Sequence, residues 1–199
     1  PEDHNPEKGK LRSCGKALNS VEIKVVDDEG NEVKPGEIGE VISKSPLNMK
    51  GYWNRPDATE EAIKDGWFYS GDAGFFDEEG YLYIHDRVKD MIVSGGENIY
   101  PAEVENALMS HPEIADAAVI GVPDDKWGES VKGFVVLQPD SNLDETEIIS
   151  YTRTQIAGYK CPKTINFIEA LPRNPSGKIL RRELREPFWE GKDRMVSGN

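Results

Sequence analysis

The sequence predicts an α+β fold made of two units that join at a charged segment. Residues 21–25 and 38–42 alternate apolar with polar side chains, as half-buried strands do, and they indicate a small β-rich unit. After residue 90, apolar segments of helical spacing alternate with short apolar runs, which indicates a unit containing both helices and strands. The segment D-R-V-K-D at 86–90 interrupts the apolar pattern with alternating charge. We therefore divide the chain into residues 1–86 and 87–199.

In the first unit, the acidic turn at 27–31 joins the first two predicted strands. Two strands joined in this way, with a glycine-containing turn between them, are typical of a small antiparallel sheet or a distorted, barrel-like sheet. A short helix is predicted at 57–63 because it begins directly after a proline. Residues 81–84 read Y-L-Y-I after an acidic turn, so they predict the last strand of this unit.

In the second unit, the spacing predicts two amphipathic helices, over 101–109 and 144–156. The first begins at a proline with acids in its first turn, and the second ends at Gly158. Short apolar runs at 114–120, 131–137 and 165–168 predict buried strands. Residues 178–184 predict a short basic helix.

Composition excludes several classes of function. The chain has 199 residues and a formal net charge of −13, so phosphate repulsion argues against a general binder of nucleic acid or anionic membrane. Its two cysteines and three histidines have no metal-ligand spacing. Without an apolar run of membrane-spanning length or a signal peptide pattern, we expect a cytoplasmic protein with no transmembrane segment. Residues 1–9 lack an initiator methionine and resemble a loop within a protein, so we expect a fragment.

Several motifs occur together in a fixed order. They are G-Y-W-N-R-P at 51–56, Y-S-G-D at 69–72, G-Y-L-Y-I-H-D-R-V-K-D at 80–90, S-G-G-E-N-I-Y-P-A-E-V-E at 94–105, G-Y-K-C-P at 158–162 and N-P-S-G-K at 174–178. In this order they resemble the C-terminal part of the adenylate-forming superfamily, and the acyl-CoA synthetases in particular. The resemblance covers nearly the whole chain, and several long motifs together are far more specific than one glycine loop.

The resemblance implies a fold and a reaction. The fold would be the end of a large N-terminal region, a small antiparallel barrel-like unit, followed by a small mobile α+β domain. The parent enzyme would activate a carboxylic acid, such as a fatty acid, with ATP to give acyl-AMP and then form the CoA thioester. Its small-molecule partners would therefore be the acid, ATP or AMP, and CoA.

The resemblance also assigns residues of the first unit and the joint. Asp72 and Arg87 match an aspartate and an arginine at the ribose of the nucleotide, where a carboxylate offers paired acceptors to two hydroxyls. Taken alone, Asp72 could simply cap a tight turn at 70–72. Lys89 matches the hinge position, although most lysines are merely solvated surface residues.

Residues of the second unit are assigned in the same way. Gly95 and Gly96 match a turn beside the pantetheine arm of CoA, where the absence of Cβ would let a narrow thiol arm pass. Lys178 matches the lysine that approaches both the acid and the α-phosphate. An anionic carboxylate that attacks an anionic phosphate needs such an ammonium to neutralise the developing charge. Taken alone, Lys178 would be an ordinary loop lysine.

The sequence also departs from the family pattern. The family's Ser/Thr/Gly-rich phosphate loop and its Tyr-Gly-x-Thr-Glu motif are absent, and the magnesium expected in the parent would find its ligands there. We therefore expect this chain alone not to complete adenylation. Two alternatives remain open: transfer of the acyl group to a carrier-protein thiol, and a non-catalytic binding module with the same fold.

Overall fold

The computed structural model describes residues 10–191. The chain folds into two compact units, with the division between Lys89 and Asp90. Residues 1–9, on which the expectation of a fragment rests, lie outside the described residues, and so does the C-terminal tail from 192. No helix within 10–191 is both long enough and apolar enough to cross a bilayer.

The first unit is a five-stranded antiparallel sheet with one short helix. Its elements are β1 (Glu22–Val26), β2 (Gly39–Lys44), α1 (Pro56–Ala62), β3 (Ile63–Lys64), β4 (Trp67–Phe76) and β5 (Leu82–Arg87). The long strand β4 pairs with β2, β3 and β5 and so organises the sheet. The predicted antiparallel strands and the helix after a proline are therefore confirmed. Whether the sheet should be described as a barrel stays a prediction.

Residues 70–72 lie inside β4, so the tight turn that their composition suggested is wrong. The strand continues because β4 pairs on both sides of this point, with β2 through Glu40 and with β5 through Arg87. Gly71 absorbs the local distortion with a φ of 69°. A bulge follows at Ala73 and Gly74, where a Cβ on Gly74 would lie 2.5 Å from the carbonyl oxygen of Tyr83.

The second unit contains five strands and three helices among the described residues. They are β6 (Ile92–Ser94), β7 (Glu97–Ile99), α2 (Pro101–Met109), β8 (Ile114–Asp124), β9 (Gly128–Leu137), α3 (Glu145–Gln155), β10 (Thr164–Phe167) and α4 (Arg181–Trp189). β8 and β9 form a long antiparallel hairpin, β10 pairs in parallel with β9, and β6 meets β9 at Ser94 and Gly128. The predicted mixture of helices and strands is confirmed, whereas the mobility of this unit stays a prediction.

The β8–β9 hairpin has an apolar core on each face, because successive side chains of a strand point to opposite sides. One core contains Val119 and Val135 with Val104 and Leu108 of α2 and Ile148 of α3. The other core contains Ala118, Ile120 and Phe134 with Leu171 and Leu184, the last from α4. The helices therefore cover both faces, with α2 and α3 on one and α4 on the other.

The basic helix near the C-terminus is displaced from its predicted position at 178–184. α4 begins at Arg181 and continues to Trp189, past the internal Pro187. It cannot begin earlier because the preceding residues pair across a loop, with an isolated bridge between Arg173 and Ile179 and a bond from the Leu180 amide to the Pro172 carbonyl. Lys178 therefore lies on a loop and not on a helix.

The capping box of α3 gives a test of local stability. The Asp144 Oδ1 accepts from the Glu147 amide at 2.8 Å, and the Glu147 carboxylate accepts from the Asp144 amide at 3.0 Å. Replacing Asp144 by alanine should lower the free energy of unfolding of the second unit by about 1 kcal/mol. Urea unfolding followed by circular dichroism measures this. Asp144→Asn retains a cap acceptor and should lose much less, so equal losses in the two variants would contradict the capping role.

The boundary between the units gives a second test. Arg87 and Lys89 are exposed in the segment that ends the first unit, and only a single 3₁₀ turn, Val88–Asp90, covers the boundary. We expect trypsin to cut first at these two residues and to leave a stable C-terminal fragment, because sparsely packed backbone opens most readily. Mass measurement of the fragments locates the cut. First cleavage inside β8, β9 or α2 would contradict a boundary at this place.

Candidate functional site

Asp72 and Arg87 face each other across β4 and β5. They are register partners, and the Arg87 Nε lies 2.8 Å from the Asp72 Oδ1 in an ion pair. Their side chains are 33% and 49% exposed, so an ion pair here contributes no more than about 1 kcal/mol to stability. The structure thus brings together the two residues assigned to the ribose and leaves both open to solvent.

The backbone beneath Asp72 is fixed by side chains of its own unit. The Ser70 Oγ donates to the Val41 carbonyl oxygen at 2.6 Å and accepts from the Asp72 amide at 3.1 Å. The Gly71 amide donates to the Glu40 Oε1 at 2.9 Å. Because β2 supplies two of these partners, the position of the Asp72 carboxylate is determined by the sheet.

Lys89 is an exposed residue in the middle of the 3₁₀ turn Val88–Asp90. It is the last residue of the first unit, and Asp90 is the first residue of the second. The hinge role of Lys89 stays a prediction, since a hinge is defined by backbone rotation between packed units and needs little from its side chain.

Gly95 and Gly96 form the turn between β6 and β7, with φ values of 63° and 85°. The Gly95 amide donates to the Trp127 carbonyl oxygen at 2.8 Å, and a Cβ on Gly95 would lie 2.7 Å from Cε3 of the same tryptophan. Gly95 is therefore required for packing against Trp127. A Cβ on Gly96 would meet open space, so only its positive φ favours glycine there.

A cavity of about 570 Å³ lies beside this turn within the second unit. Its lining combines aromatic rings, cationic side chains and a thiol, from Gly95, Trp127, Arg153, Tyr159, Cys161 and Lys163. The Trp127 and Tyr159 side chains remain 42% and 54% exposed, so both rings are partly open to solvent. Flat rings beside cations are a suitable surface for a nucleotide base and its phosphates.

Asp124 organises one wall of this cavity. Burial opposes its ionisation, but the amides of Lys126 and Trp127 and the Lys163 ammonium outweigh burial and lower the pKa of Asp124. The Lys163 Nζ lies 3.2 Å from the Asp124 Oδ2. The same carboxylate therefore fixes the turn that carries Trp127 and the position of the Lys163 ammonium.

Cys161 is only 4% exposed at the cavity, and its Sγ lies 3.6 Å from the Ala157 carbonyl oxygen. Burial raises the pKa of the Cys161 thiol. Since the thiolate is the nucleophilic form, the side chain is a packing residue and not a reactive one.

Lys178 lies on an exposed loop that is built around Asn174. The side-chain Oδ1 of Asn174 accepts from the backbone amides of Ser176 and Lys178. The backbone amide of Asn174 donates to the Lys178 carbonyl oxygen at 2.9 Å. Gly177 completes the turn with a φ of 84°. The N-P-S-G-K motif is thus a self-contained turn that presents the lysine.

Arg173 holds this turn in place through hydrogen bonds. One of its guanidinium nitrogens donates to the Gly177 carbonyl oxygen at 2.6 Å, and another donates to the Asp116 Oδ2 of β8 at 2.6 Å. Within residues 10–191, no carboxylate forms an ion pair with the Lys178 ammonium. The loop backbone is therefore held while the charged end of Lys178 stays available.

The sequence-predicted residues fall into separate groups. Asp72 and Arg87 belong to the first unit, the glycine pair and Lys178 belong to the second, and Lys89 ends the first. The cavity residues Trp127, Arg153, Tyr159 and Lys163 were missed. The G-Y-K-C-P motif at 158–162 was the available signal, but no pattern connected it to Trp127 or to Gly95.

Two family models match this chain. The model described as AMP-binding enzyme C-terminal domain matches residues 103–178, and the model described as AMP-binding enzyme matches residues 2–53. The first matched range contains most of the cavity residues and ends at Lys178.

Curated relatives and solved structures agree with these models. A fatty acid–acyl-carrier-protein ligase of Streptomyces coeruleorubidus is 46% identical over 99% of this chain and 38% of its own length. A long-chain-fatty-acid–CoA ligase of Mycobacterium tuberculosis is 49% identical over 90% of this chain and 35% of its own length. The structure of o-succinylbenzoate CoA synthetase from Bacillus subtilis with its acyl-adenylate intermediate matches 88% of this chain and 36% of its own at 45% identity, with a TM-score of 0.82.

The chain thus spans a little over one third of the length of these relatives. Both matched models describe AMP-binding enzymes, and the motifs at 69–105 and 174–178 occur on the turns and strands described above. The predicted family is confirmed: the chain belongs to the adenylate-forming, AMP-binding enzymes and carries their C-terminal portion.

Proposed function

We propose that the chain is the C-terminal part of an AMP-forming acyl-CoA synthetase. The complete enzyme would activate a carboxylic acid, with a fatty acid as the leading candidate, by forming acyl-AMP from ATP and would then transfer the acyl group to the thiol of CoA. The observation that carries the proposal is the presentation of Lys178, whose backbone is fixed by Asn174 and Arg173 while no described carboxylate pairs with its ammonium.

Lys178 would serve the adenylation step. When a carboxylate oxygen attacks the α-phosphorus of ATP, two anions approach each other and pyrophosphate leaves. A held ammonium near both reactants offsets this repulsion and stabilises the charge that develops on the phosphoryl oxygens. Lysine suits the task because its charge is compact and its stem is flexible.

Asp72 and Arg87 would hold the ribose. The Asp72 Oδ1 receives Arg87, and a carboxylate has enough lone pairs to accept from two hydroxyls as well. Arg87 would orient the Asp72 carboxylate through their ion pair. Their cross-strand register on β4 and β5 supports a rigid site of this kind.

The cavity beside Gly95 would take the CoA nucleotide. Trp127 and Tyr159 offer ring faces, and Arg153 and Lys163 offer charges that complement phosphates. The Gly95–Gly96 turn at its edge is the position that the resemblance gives to the pantetheine arm. Lys89 would be the hinge about which the second unit alternates between the two half-reactions.

The magnesium expected in the parent enzyme would find its ligands in the family motifs that this sequence lacks. Within residues 10–191 there is no group of three or more His, Cys, Asp or Glu side chains that could hold a metal ion. We therefore assign no step of the chemistry in this chain to a metal.

Transfer to a carrier-protein thiol is the second candidate, because the relative with 46% identity over 99% of the chain is a fatty acid–acyl-carrier-protein ligase. The two acceptors differ at the cavity: free CoA brings an adenine nucleotide, whereas a carrier protein brings the same pantetheine arm on a folded domain. Replacing Trp127 and Lys163 together by alanine would therefore raise the KM for CoA and leave that for a carrier protein nearly unchanged.

The isolated chain should bind ATP weakly. Asp72 and Arg87 contact only the ribose in this proposal, and the sequence lacks the family's phosphate loop. Calorimetry should give a dissociation constant well above 1 μM, which corresponds to about −8 kcal/mol. Micromolar binding that Asp72→Ala leaves unchanged would mean that the chain holds a different nucleotide site and would contradict this assignment.

In the complete enzyme, Lys178→Ala should slow adenylate formation about 10²- to 10³-fold, because a held charge would be lost from the transition state. Thioester formation from a preformed acyl-adenylate should change little. Pyrophosphate exchange measures the first half-reaction, and consumption of acyl-adenylate in the presence of CoA measures the second. Replacing an exposed loop lysine costs little stability, so the variant should still fold.

Lys34→Ala is the matched control, because Lys34 is an exposed lysine of the first unit outside the proposed site. It should leave both half-reactions at wild-type rates. An equal loss in both half-reactions on replacing Lys178, or no loss in either, would refute the assignment of Lys178 to adenylation.

A further inference from the structure

Four charged side chains form a poorly exposed ion cluster in the second unit. Arg181 makes two hydrogen bonds to the Glu105 carboxylate, at 2.7 and 2.9 Å, and its other terminal nitrogen lies 3.9 Å from the Asp90 Oδ2. Arg185 donates to the Asp90 Oδ1 at 3.1 Å. All four side chains are less than 20% exposed. We call Asp90, Glu105, Arg181 and Arg185 the α4 ion cluster.

The cluster joins parts of the unit that are distant in sequence. Asp90 is the first residue of the second unit, and Glu105 lies on α2. The Glu105 Oε1 also accepts from the Val119 amide of β8 at 2.9 Å, so this carboxylate connects α2 and β8 with α4. Arg181 is the first residue of α4 and follows Lys178 by only three residues.

The Lys178 loop is therefore anchored at both ends by arginine. Arg173 ties its beginning to Asp116 of β8, and Arg181 ties its end to Glu105 of α2. Arg181 makes both of its hydrogen bonds to Glu105 from one terminal nitrogen, and Arg173 uses one terminal nitrogen for Asp116 and the other for the Gly177 carbonyl oxygen. The loop itself buries little apolar surface, since residues 174–178 are all intermediate or exposed. Ile179 packs against the apolar core directly after Lys178, and the two anchors add fixed charged contacts at the ends of the loop.

Stability alone is a weak explanation of the cluster. Removing ions from water costs several kcal/mol per group, and apolar replacements of buried ion pairs are often neutral or stabilising. The apolar contacts of Leu184 and Phe188 already hold α4 against β8 and β9. What the ion cluster adds to this packing is a fixed rotation and register for the first turn of the helix.

We propose that the α4 ion cluster positions Lys178 for adenylation, with Arg181 as the principal positioning residue. The inference rests on the proposed function of Lys178. Arg181 acts through the backbone of residues 178–181 and touches no substrate. Loosening the anchor would let the ammonium leave the reacting groups, and a displacement of about 1 Å can cost up to ~10²-fold in rate.

The test uses Arg181→Met in the complete enzyme, alone and combined with Lys178→Ala. We expect Arg181→Met to lower the kcat of adenylation by about 10- to 100-fold with the KM for ATP within about twofold. Thioester formation from acyl-adenylate should stay within about twofold of wild type. In the Lys178→Ala background, Arg181→Met should have no further effect on adenylation, because two residues that act as one unit are not additive.

Two further variants keep the test decisive. Arg182→Met, on an exposed neighbour in the same helix, should leave both half-reactions unchanged. If Arg181→Met does not fold, Arg181→Lys keeps the charge that balances Glu105 but lacks the second terminal nitrogen that approaches Asp90, and it should show the same pattern with a smaller loss. Thermal unfolding shows whether Arg181→Met is folded, and Arg181→Lys takes its place if it is not.

The outcomes separate this inference from the proposed function. Arg181→Met could slow both half-reactions equally, or its effect on the adenylation rate could multiply that of Lys178→Ala in the double variant. Either result would give the cluster a merely structural role and overturn the inference alone. Unchanged adenylation in Lys178→Ala itself would overturn the proposed function together with the inference.

Discussion

Among residues 10–191 the ammonium of Lys178 takes part in no ion pair, and the chemistry proposed for the second unit depends on this. In a chain with a net charge of −13, an exposed lysine would readily find a carboxylate. Three carboxylates of the second unit are paired with arginine instead: Asp116 with Arg173, Glu105 with Arg181 and Asp90 with Arg185. Arg173 and Arg181 thus fix the two ends of the loop, while the Lys178 ammonium has no ion-pair partner among residues 10–191.

The two units supply different parts of what the proposed reaction needs. The first offers a carboxylate and a guanidinium in cross-strand register, a suitable pair for sugar hydroxyls. The second offers a presented ammonium and a cavity with aromatic and cationic walls. Neither set is sufficient for acid activation, since phosphate-binding and acid-binding groups are also required. This agrees with a chain that spans a little over one third of its relatives.

Local patterns predicted much of the fold from sequence, and contacts between distant residues account for the rest. Helices α2 and α3 were predicted within one or two residues, because a proline start and the helical spacing of apolar residues are local signals. α4 was placed three residues early, since a bridge between Arg173 and Ile179 and not helix propensity decides where it begins. The strand through 70–72 looked like a turn because Gly71 and Asp72 favour turns, but pairing on both sides of β4 overrides that preference.

Motifs in the sequence identified some residues of the candidate site, and only the structure reveals the others. Asp72, Arg87 and Lys178 could be named from their motifs, and the structure adds the pair between the first two and the turn that presents the third. The cavity could not be predicted, because it requires Trp127 to pack on Gly95 and Lys163 to reach Asp124 across the fold. The α4 ion cluster was missed for the same reason, as Asp90 and Arg185 are 95 residues apart.

A structure of the complete enzyme with a non-hydrolysable acyl-adenylate analogue tests the central claim most directly. The proposed role of Lys178 predicts its Nζ at about 2.7–3.2 Å from the oxygen atoms around the acyl–phosphate linkage, with Asp72 on the ribose hydroxyls. The turn from Asn174 to Lys178 should be unchanged, and the Arg181–Glu105 pair should be intact. A structure in which Asp72 holds the ribose and another cation occupies the place beside the linkage, with Lys178 turned to solvent, would contradict it.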